Sequence, residues 1–180
     1  IAIMIKTFER DSTLFECVEH IKSNLLSDEY KLYIADDGSI DSNKEKFYKA
    51  LEQEGHFILR LPYNIGASAG RNAIVEYINE NYVLRIDDDF FITQETRIDK
   101  MIEVLDSDPN LGAISDLEKQ LVDGKKLKAG EVRYDEQAYI YQFRKMLIKE
   151  KITNPNYESV NGIRFLKCSF TRNFLLIKKR

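Results

Sequence analysis

Three consecutive aspartates, 87–89, follow an apolar segment that is predicted to be a buried β-strand. Like charges this close repel one another and raise one another's pKa unless a cation or hydrogen-bond donors compensate. Mg²⁺ or Mn²⁺ takes carboxylate oxygens, keeps several waters and shares its other positions with substrate phosphates. In extended backbone Asp87 and Asp89 lie on the same side, so both can reach one ion while Asp88 points away. A solvated acidic turn at the start of a helix is the alternative.

A second acidic segment, Asp36-Asp37-Gly38-Ser39-Ile40-Asp41, follows another predicted strand. A calcium loop of the EF-hand type needs oxygen ligands at its first, third and fifth positions and glycine at its sixth. With Gly38 in sixth place, Tyr33 and Ala35 would occupy two ligand positions, so that interpretation fails. An Asp-Gly turn capped by Ser39 or Asp41 remains open.

The segment 66–72 is rich in small residues, which suits close approach by a ligand. It lacks the Lys-Ser/Thr of a P-loop and the spacing of a dinucleotide-binding loop. Arg71 and the start of the following helix could hold phosphate charge. The alternative is a plain loop that closes onto a helix.

Strand and helix patterns alternate over the first 115 residues, which predicts a mostly parallel sheet flanked by helices. The predicted strands are 1–6, 30–35, 56–61, 82–86 and 111–115, and the predicted helices lie at 11–25, 44–54, 68–80 and 98–105. Asp11 or Ser12 could cap the first helix, and Thr93 or Thr96 the last. Ligands of such sheets bind outside the carboxyl ends of the strands, so the polar loops are expected to meet at one edge.

The pattern changes after residue 115. A hairpin is predicted from 117–122 and 127–134 around Asp123-Gly124, and 163–177 fits one or two further strands. The segment 139–151 fits either a strand or a helix. The predicted fold class is therefore α/β, with a smaller mixed β region after residue 115.

Composition excludes several classes of protein. The chain has 180 residues, 43% of them apolar, so it can bury a core. Its net charge of −3 does not fit a general nucleic-acid binder, and its two cysteines do not form a disulfide framework. No apolar run reaches the roughly 18–20 residues of a membrane span. A start without Met on a core strand suggests a trimmed chain.

Four short segments, taken in order, resemble motifs of the family 2 glycosyltransferases. Residues 7–10 (TFER) resemble the T-Y-N-R segment after their first strand, and residues 36–41 (DDGSID) resemble their D-D-G-S-x-D. Residues 64–66 and 69–72 (NIG and AGRN) resemble their N-x-G…A-R-N loop. Residues 87–89 lie where their metal-binding D-x-D belongs. The stretch 69–105 is most similar to the β-1,4-N-acetylgalactosaminyltransferase branch.

The resemblance implies a GT-A fold, which is Rossmann-like, and a bound Mn²⁺ or Mg²⁺. It implies inverting transfer of GalNAc, GlcNAc, Gal or Glc from a UDP-sugar to an acceptor hydroxyl of a glycan or polysaccharide. Asp37 would accept a hydrogen bond from the uracil N–H. Carried over position by position, the metal ligands would be Asp89 and Asp87, and the nucleotide-sugar-binding residues would be Thr7, Arg10, Asp36, Asp37, Gly66, Arg71, Asp87 and Asp88.

The same resemblance predicts one domain over 1–180, with a nucleotide-sugar-binding half at 1–115 and the start of an acceptor half at 116–180. In the family the general base comes from an acidic segment after the D-x-D. No Glu-Asp pair occurs after residue 115, so the base is expected beyond Arg180. The alternative is a non-catalytic nucleotide-sugar or metal-binding module. A nucleotidyltransferase is disfavoured because the loop after the first strand is not glycine-rich.

The expected partners are a UDP-sugar donor and a carbohydrate acceptor, and no nucleic acid. No transmembrane segment is expected in this chain, while peripheral membrane association stays open. The expected location is the cytoplasm, or the Golgi lumen for a eukaryotic source.

Overall fold

A computed structural model describes residues 1–39, 42–115, 121–122, 125–126, 139–143, 147–151, 157–166 and 174–179. In this part of the chain, four helices alternate with strands of a central sheet, and short strand pairs follow. The helices are α1 Asp11–Asn24, α2 Ser42–Gln53, α3 Ala67–Val75 and α4 Ile98–Ser107. The first strands are β1 Ala2–Thr7, β2 Lys31–Asp36, β3 Phe57–Arg60, β4 Tyr82–Asp87 and β5 Ala113–Ser115. The later ones are β6 Leu121–Val122, β7 Lys125–Lys126, β8 Tyr139–Phe143, β9 Leu147–Lys151, β10 Tyr157–Val160, β11 Ile163–Leu166 and β12 Leu175–Lys178.

Within the described residues the central sheet has the order β3-β2-β1-β4-β12-β5. The first four of these strands are parallel, whereas β12 runs antiparallel to both β4 and β5. The sequence-based prediction of an α/β fold with a mostly parallel sheet is confirmed. The strand predicted at 111–115 is shorter, and β12 separates it from β4.

Helices cover both faces of the sheet, which explains why the strands have continuous apolar sequences. Ile3 and Ile5 of β1 pack into the cluster that holds α1, α2 and α4, while Met4 faces Ile74 of α3. All four side chains are at most 3% exposed. Burial of each such side chain stabilises the fold by about 1.5–3 kcal/mol relative to leaving it in water.

The caps predicted for α1 and α4 are wrong. Arg10 is the N-cap of α1 and Arg97 the N-cap of α4, and neither makes a side-chain capping hydrogen bond. Thr96 instead accepts a hydrogen bond from the Thr93 N–H, in the turn before the helix. The Arg10 side chain is engaged elsewhere, which bears on the candidate site.

The described strands β6 to β11 form short antiparallel pairs, whereas β12 joins the central sheet. β6 pairs with β7, and β7 starts directly after the Asp123-Gly124 sequence at which a turn is predicted. The second strand of the predicted hairpin, 127–134, lies outside the described residues. The ambiguous segment 139–151 contains two paired strands, β8 and β9. β11 and β12 confirm strands in 163–177.

Candidate functional site

The candidate site lies where the strand order of the sheet reverses. From β1 the chain adds β2 and β3 on one side, and then crosses to place β4 on the other side of β1. The ends of β1 and β4 are neighbours, since Lys6 is opposite Asp87 in the register. Ligands of α/β sheets bind outside such a point. We call the loops that follow β1, β2, β3 and β4 the switch-point edge.

Asp88 is the buried member of the aspartate triplet, with 4% of its side chain exposed. Its carboxylate accepts a hydrogen bond of 2.8 Å from the Thr7 hydroxyl and forms an ion pair of 2.9 Å with Arg10. Burial raises the pKa of this carboxyl, although Thr7 and Arg10 oppose the shift. Asp88 thus points into the protein and joins the loop after β4 to the end of β1.

Asp89 is the exposed member of the triplet, with 48% of its side chain accessible. Arg10 donates to it across 2.9 Å, so one guanidinium bridges Asp88 and Asp89. The hydrogen bond to Asp89 raises the pKa of Arg10 further. Of the three carboxylates, that of Asp89 is the most open to an incoming cation.

Asp87 forms an ion pair with Arg71 of α3, and about a quarter of each side chain is exposed. The Arg71 Nε–H is buried and has no hydrogen-bond partner in the described structure. Arg85 lies close enough that burial and the Arg71 charge together lower its pKa. An unpaired Nε–H of Arg71, with the charge of Arg85 nearby, suits an anionic oxygen of a ligand, such as phosphate.

Asp36 is buried and holds the loop after β2. Its carboxylate accepts hydrogen bonds from the Tyr48 hydroxyl at 2.6 Å and from the Ser39 N–H at 2.9 Å, and Lys44 lies 3.5 Å away. Burial favours the neutral acid, but these donors outweigh it and hold the Asp36 pKa below its usual value. Burial, followed by the hydrogen bond to Asp36, raises the pKa of Tyr48.

Asp37 is fully buried, and its carboxylate already accepts three hydrogen bonds. The donors are the N–H groups of Ile65 and Gly66, at 2.7 and 3.1 Å, and Lys6 Nζ at 2.9 Å. A carboxylate has about four acceptor positions, so about one remains for a ligand. Acceptance of a uracil N–H by Asp37 stays a prediction, while its contacts show that it fixes the loop containing Gly66.

Lys44 is a buried cation that the sequence analysis missed. Its side chain is 1% exposed, and its amine lies 2.8 Å from Asp11 and 2.9 Å from the Ser39 hydroxyl. It borders a cavity of about 130 Å³ next to Asp36. Lys44 joins α1, α2 and the loop after β2. Its position four residues before Tyr48, on the same face of α2, is the feature of the sequence that could have indicated its burial.

The buried Asp37 should make stability depend on pH. Burial favours its neutral form, but Lys6 and the two N–H donors outweigh burial and hold its pKa below the usual value. An aspartate whose pKa is lower in the folded than in the unfolded chain stabilises the fold at pH values above its pKa in the unfolded chain, about 3.9. This stabilisation is lost as the pH falls through the pKa of the folded chain. We expect Asp37→Asn to lower the free energy of unfolding by about 3 kcal/mol at pH 7, because it leaves Lys6 unpaired. Between pH 7 and 3, the free energy of unfolding should fall less for Asp37→Asn than for the unaltered chain.

Urea unfolding at fixed pH values measures this difference. Asp106→Asn is the matched control, since Lys178 also lowers the Asp106 pKa but both side chains are exposed. Its stability curve against pH should stay close to that of the unaltered chain. Parallel curves for Asp37→Asn and the unaltered chain would contradict the expectation.

The described residues contain no group of three or more His, Cys, Asp or Glu side chains arranged around one metal position. A cation here would have one or two carboxylate ligands and take the rest from water and substrate oxygens. That donor set is typical of Mg²⁺ and Mn²⁺ held beside phosphates. The exposed Asp89 and the Asp87 next to Arg71 therefore fit such an ion. Cys17 is free and fully buried beneath this edge, where it packs in the core.

The comparisons with known proteins point to one family. A family model described as "Glycosyl transferase family 2" matches residues 2–170. The chain belongs to glycosyl transferase family 2. Membership of family 2 agrees with the order of the four sequence motifs and with the position of the switch-point edge in the fold.

Curated relatives match a little over half of this family 2 chain. Beta-1,4 N-acetylgalactosaminyltransferase 1 of Mus musculus is 33% identical over 109 residues, which is 61% of this chain and 19% of the relative. Poly-beta-1,6-N-acetyl-D-glucosamine synthase of Staphylococcus aureus strain COL is 31% identical over 103 residues, 56% of this chain and 25% of the relative. The chain thus matches a quarter or less of the length of these relatives.

Solved structures share the fold of the family 2 chain. The mannosyltransferase PcManGT from Pyrobaculum calidifontis, in complex with GDP-Man and Mn²⁺, has a TM-score of 0.56 at 16% identity over 66% of this chain and 35% of that one. S. aureus TarS in complex with UDP-GlcNAc has a TM-score of 0.54 at 19% identity, and the match covers 76% of this chain and 38% of TarS. At these identities the likeness shows the fold, which is the GT-A type expected from the sequence.

Helices long and apolar enough to cross a membrane do not occur among the described residues.

Proposed function

We propose that this chain contains the donor-binding part of a metal-dependent, inverting glycosyltransferase that moves GalNAc, GlcNAc, Gal or Glc from a UDP-sugar to a carbohydrate hydroxyl. The observation that carries the proposal is the switch-point edge, where Arg10, Arg71 and three aspartates lie together. Family membership supports sugar transfer, and the names of the two relatives support an N-acetylhexosamine. The complexes with UDP-GlcNAc and with GDP-Man and Mn²⁺ support a nucleotide sugar and a metal.

Asp89, with Asp87 beside it, would hold the divalent cation. When bound, such a cation stabilises the negative charge that develops on the leaving diphosphate. Arg71, whose Nε–H lacks a partner, would donate to a phosphate oxygen. Thr7 would hold Asp88 in place through the hydroxyl hydrogen bond of 2.8 Å, and Asp88 in turn would hold Arg10.

The loops after β2 and β3 would bind the nucleoside. Asp36 shapes the first loop through its bond to the Ser39 N–H, and Asp37 fixes Gly66 in the second. Gly66 has a φ of +96°, a backbone conformation that glycine adopts without strain. In this proposal residues 1–115 form the donor half and 116–180 begin the acceptor half.

Inverting transfer also needs a carboxylate that takes the acceptor proton on the face opposite the leaving group. We assign no residue to that role. If the chain binds donor without transferring sugar, the non-catalytic module that binds a nucleotide sugar becomes the better description.

Isothermal titration with UDP, UDP-GalNAc, UDP-GlcNAc, UDP-Gal and UDP-Glc tests the proposal, with Mn²⁺ present or chelated, and with GDP-Man as the control nucleotide. We expect UDP and at least one UDP-sugar to bind only with Mn²⁺, and more tightly than GDP-Man. Release of the sugar, or its transfer to added oligosaccharides, then distinguishes an enzyme from a binding module. Equal UDP affinity with and without the metal would overturn the metal-dependent site.

A further inference from the structure

We propose that Arg10 strengthens the dependence of cation binding and nucleotide diphosphate binding on each other; this inference rests on the proposed function. The Arg10 guanidinium lies on Asp89, the carboxylate assigned to the cation. A cation that takes the same Asp89 oxygen, Oδ2, displaces one arm of the guanidinium. The displaced arm then carries a free N–H and a positive charge beside the place assigned to the diphosphate.

The geometry allows this exchange without moving the backbone. The Arg10 carbonyl accepts a hydrogen bond of 3.0 Å from the Leu14 N–H in the first turn of α1. In the preceding residue, the Glu9 N–H donates to the Ser39 hydroxyl at 3.0 Å. The Arg10 side chain, in contrast, is 48% exposed, so its outer part can rotate into solvent.

The two arms of the guanidinium have unequal partners. Nη1 contacts Asp88, which is buried and fixed by Thr7, whereas Nη2 contacts the half-exposed Asp89. The buried contact is less screened by water and salt than the exposed one. The arm on Asp88 can therefore stay in place as a pivot while the arm on Asp89 swings towards a phosphate oxygen.

Charge balance favours joint binding over binding of either ligand alone. The three aspartates of the triplet, with Arg10, Arg71 and the neighbouring Arg85, carry no net charge. The cation alone would make this group net positive and would face the displaced guanidinium. The diphosphate alone would add negative charge next to Asp89. Bound together, the two ligands largely cancel each other's charge, and Arg10 exchanges one anionic partner for another.

The test is a titration of Mn²⁺, followed by the electron paramagnetic resonance of the free ion, with and without UDP. The chains compared are the unaltered protein, Arg10→Gln and Arg10→Lys. Arg97→Gln is the matched control, since it removes an exposed arginine whose ion pair is with Asp99 and not with an aspartate of the triplet. Thermal unfolding followed by circular dichroism checks that each variant is folded.

We expect Arg10→Gln to bind Mn²⁺ alone about threefold to tenfold more tightly than the unaltered chain, because a competing cation has been removed. The factor by which UDP tightens Mn²⁺ binding should fall by a similar amount, because no guanidinium is left to meet the diphosphate. Arg10→Lys keeps the charge but can reach only one carboxylate at a time, so it should lie between the two. Arg97→Gln should match the unaltered chain.

Two results separate this inference from the proposed function. If Arg10→Gln and Arg10→Lys have the Mn²⁺ affinity and the UDP effect of the unaltered chain, the inference is wrong while the metal-dependent site stands. If the unaltered chain does not bind UDP even with Mn²⁺, the proposed function fails and this inference fails with it.

Discussion

The Asp89→Asn substitution should weaken Mn²⁺-dependent binding of UDP by about a hundredfold, the order of loss expected when a metal site loses an essential group. Asparagine keeps the size of the side chain but removes the charge that a hard cation needs. Asp89 is half-exposed, and its pairing with Arg10 contributes little to the free energy of folding, so the fold should be retained. Isothermal titration with UDP in the presence of Mn²⁺ measures the loss.

Asp99→Asn is the matched control, because Asp99 lies in the first turn of α4, is 60% exposed and is paired with Arg97. Its UDP affinity should equal that of the unaltered chain. Asp88→Ala should weaken UDP binding less than Asp89→Ala, since Asp88 lies beneath Arg10 and acts through it. With the metal chelated, neither Asp89→Asn nor the unaltered chain should bind UDP measurably. An unchanged UDP affinity of Asp89→Asn with Mn²⁺ would remove Asp89 from the site.

The Gly38→Ala substitution should destabilise the fold by about 3 kcal/mol or more. Gly38 has a φ of +84°, which costs a residue with a side chain about 1–3 kcal/mol. A Cβ at this position would lie 2.4 Å from Tyr63 Cα and 2.7 Å from the Tyr63 backbone nitrogen. Because those atoms are backbone, the loop after β3 would have to move away, at a further cost of about 1–3 kcal/mol. Urea unfolding measures the loss of stability.

Gly55→Ala distinguishes the backbone strain of a positive φ from the steric clash of the added Cβ. Gly55 has a similar φ of +92°, but a Cβ there would meet nothing within 4 Å. Gly55→Ala should therefore destabilise the fold only through this backbone strain, by about 1 kcal/mol. Gly38→Ala should also weaken UDP binding, because the loop that moves carries the Ile65 and Gly66 N–H groups that bind Asp37. Equal losses of stability in the two variants would show that the close approach of the two loops is unimportant.

The strand-helix alternation of the first half could be predicted because strands buried on both faces have unbroken apolar sequences. The meeting of the loops after β1 and β4 followed from the same pattern, since parallel strands end at one edge. The antiparallel insertion of β12 beside β4 could not be predicted, because the partner of an apolar strand is set by tertiary packing and not by its own sequence. The capping predictions failed for a related reason, as Arg10 takes the N-cap of α1 while its side chain binds Asp88.

For the candidate site, residue types were easier to predict than partners. The acidic side chains of Asp36, Asp37 and 87–89 are visible in the sequence, but the cations that neutralise them come from distant segments. Lys6 looks like a residue of a buried strand, and its pairing with Asp37 depends on how β1 and β2 align. Lys44 similarly meets Asp36 only once α2 has packed. Which carboxylates are structural and which are open to ligand is therefore a property of the folded chain.

The place of β12 in the sheet has a consequence for synthesis on the ribosome. Leu84 of β4 pairs with Leu176 of β12, so β4 receives its second neighbour only after nearly all of this sequence has been translated. Until then the strand that precedes the aspartate triplet is an unprotected edge, able to pair with other nascent chains. Contacts between such distant segments form slowly and favour aggregation of partly folded chains. Production at low temperature or with chaperones should accordingly raise the yield of folded protein.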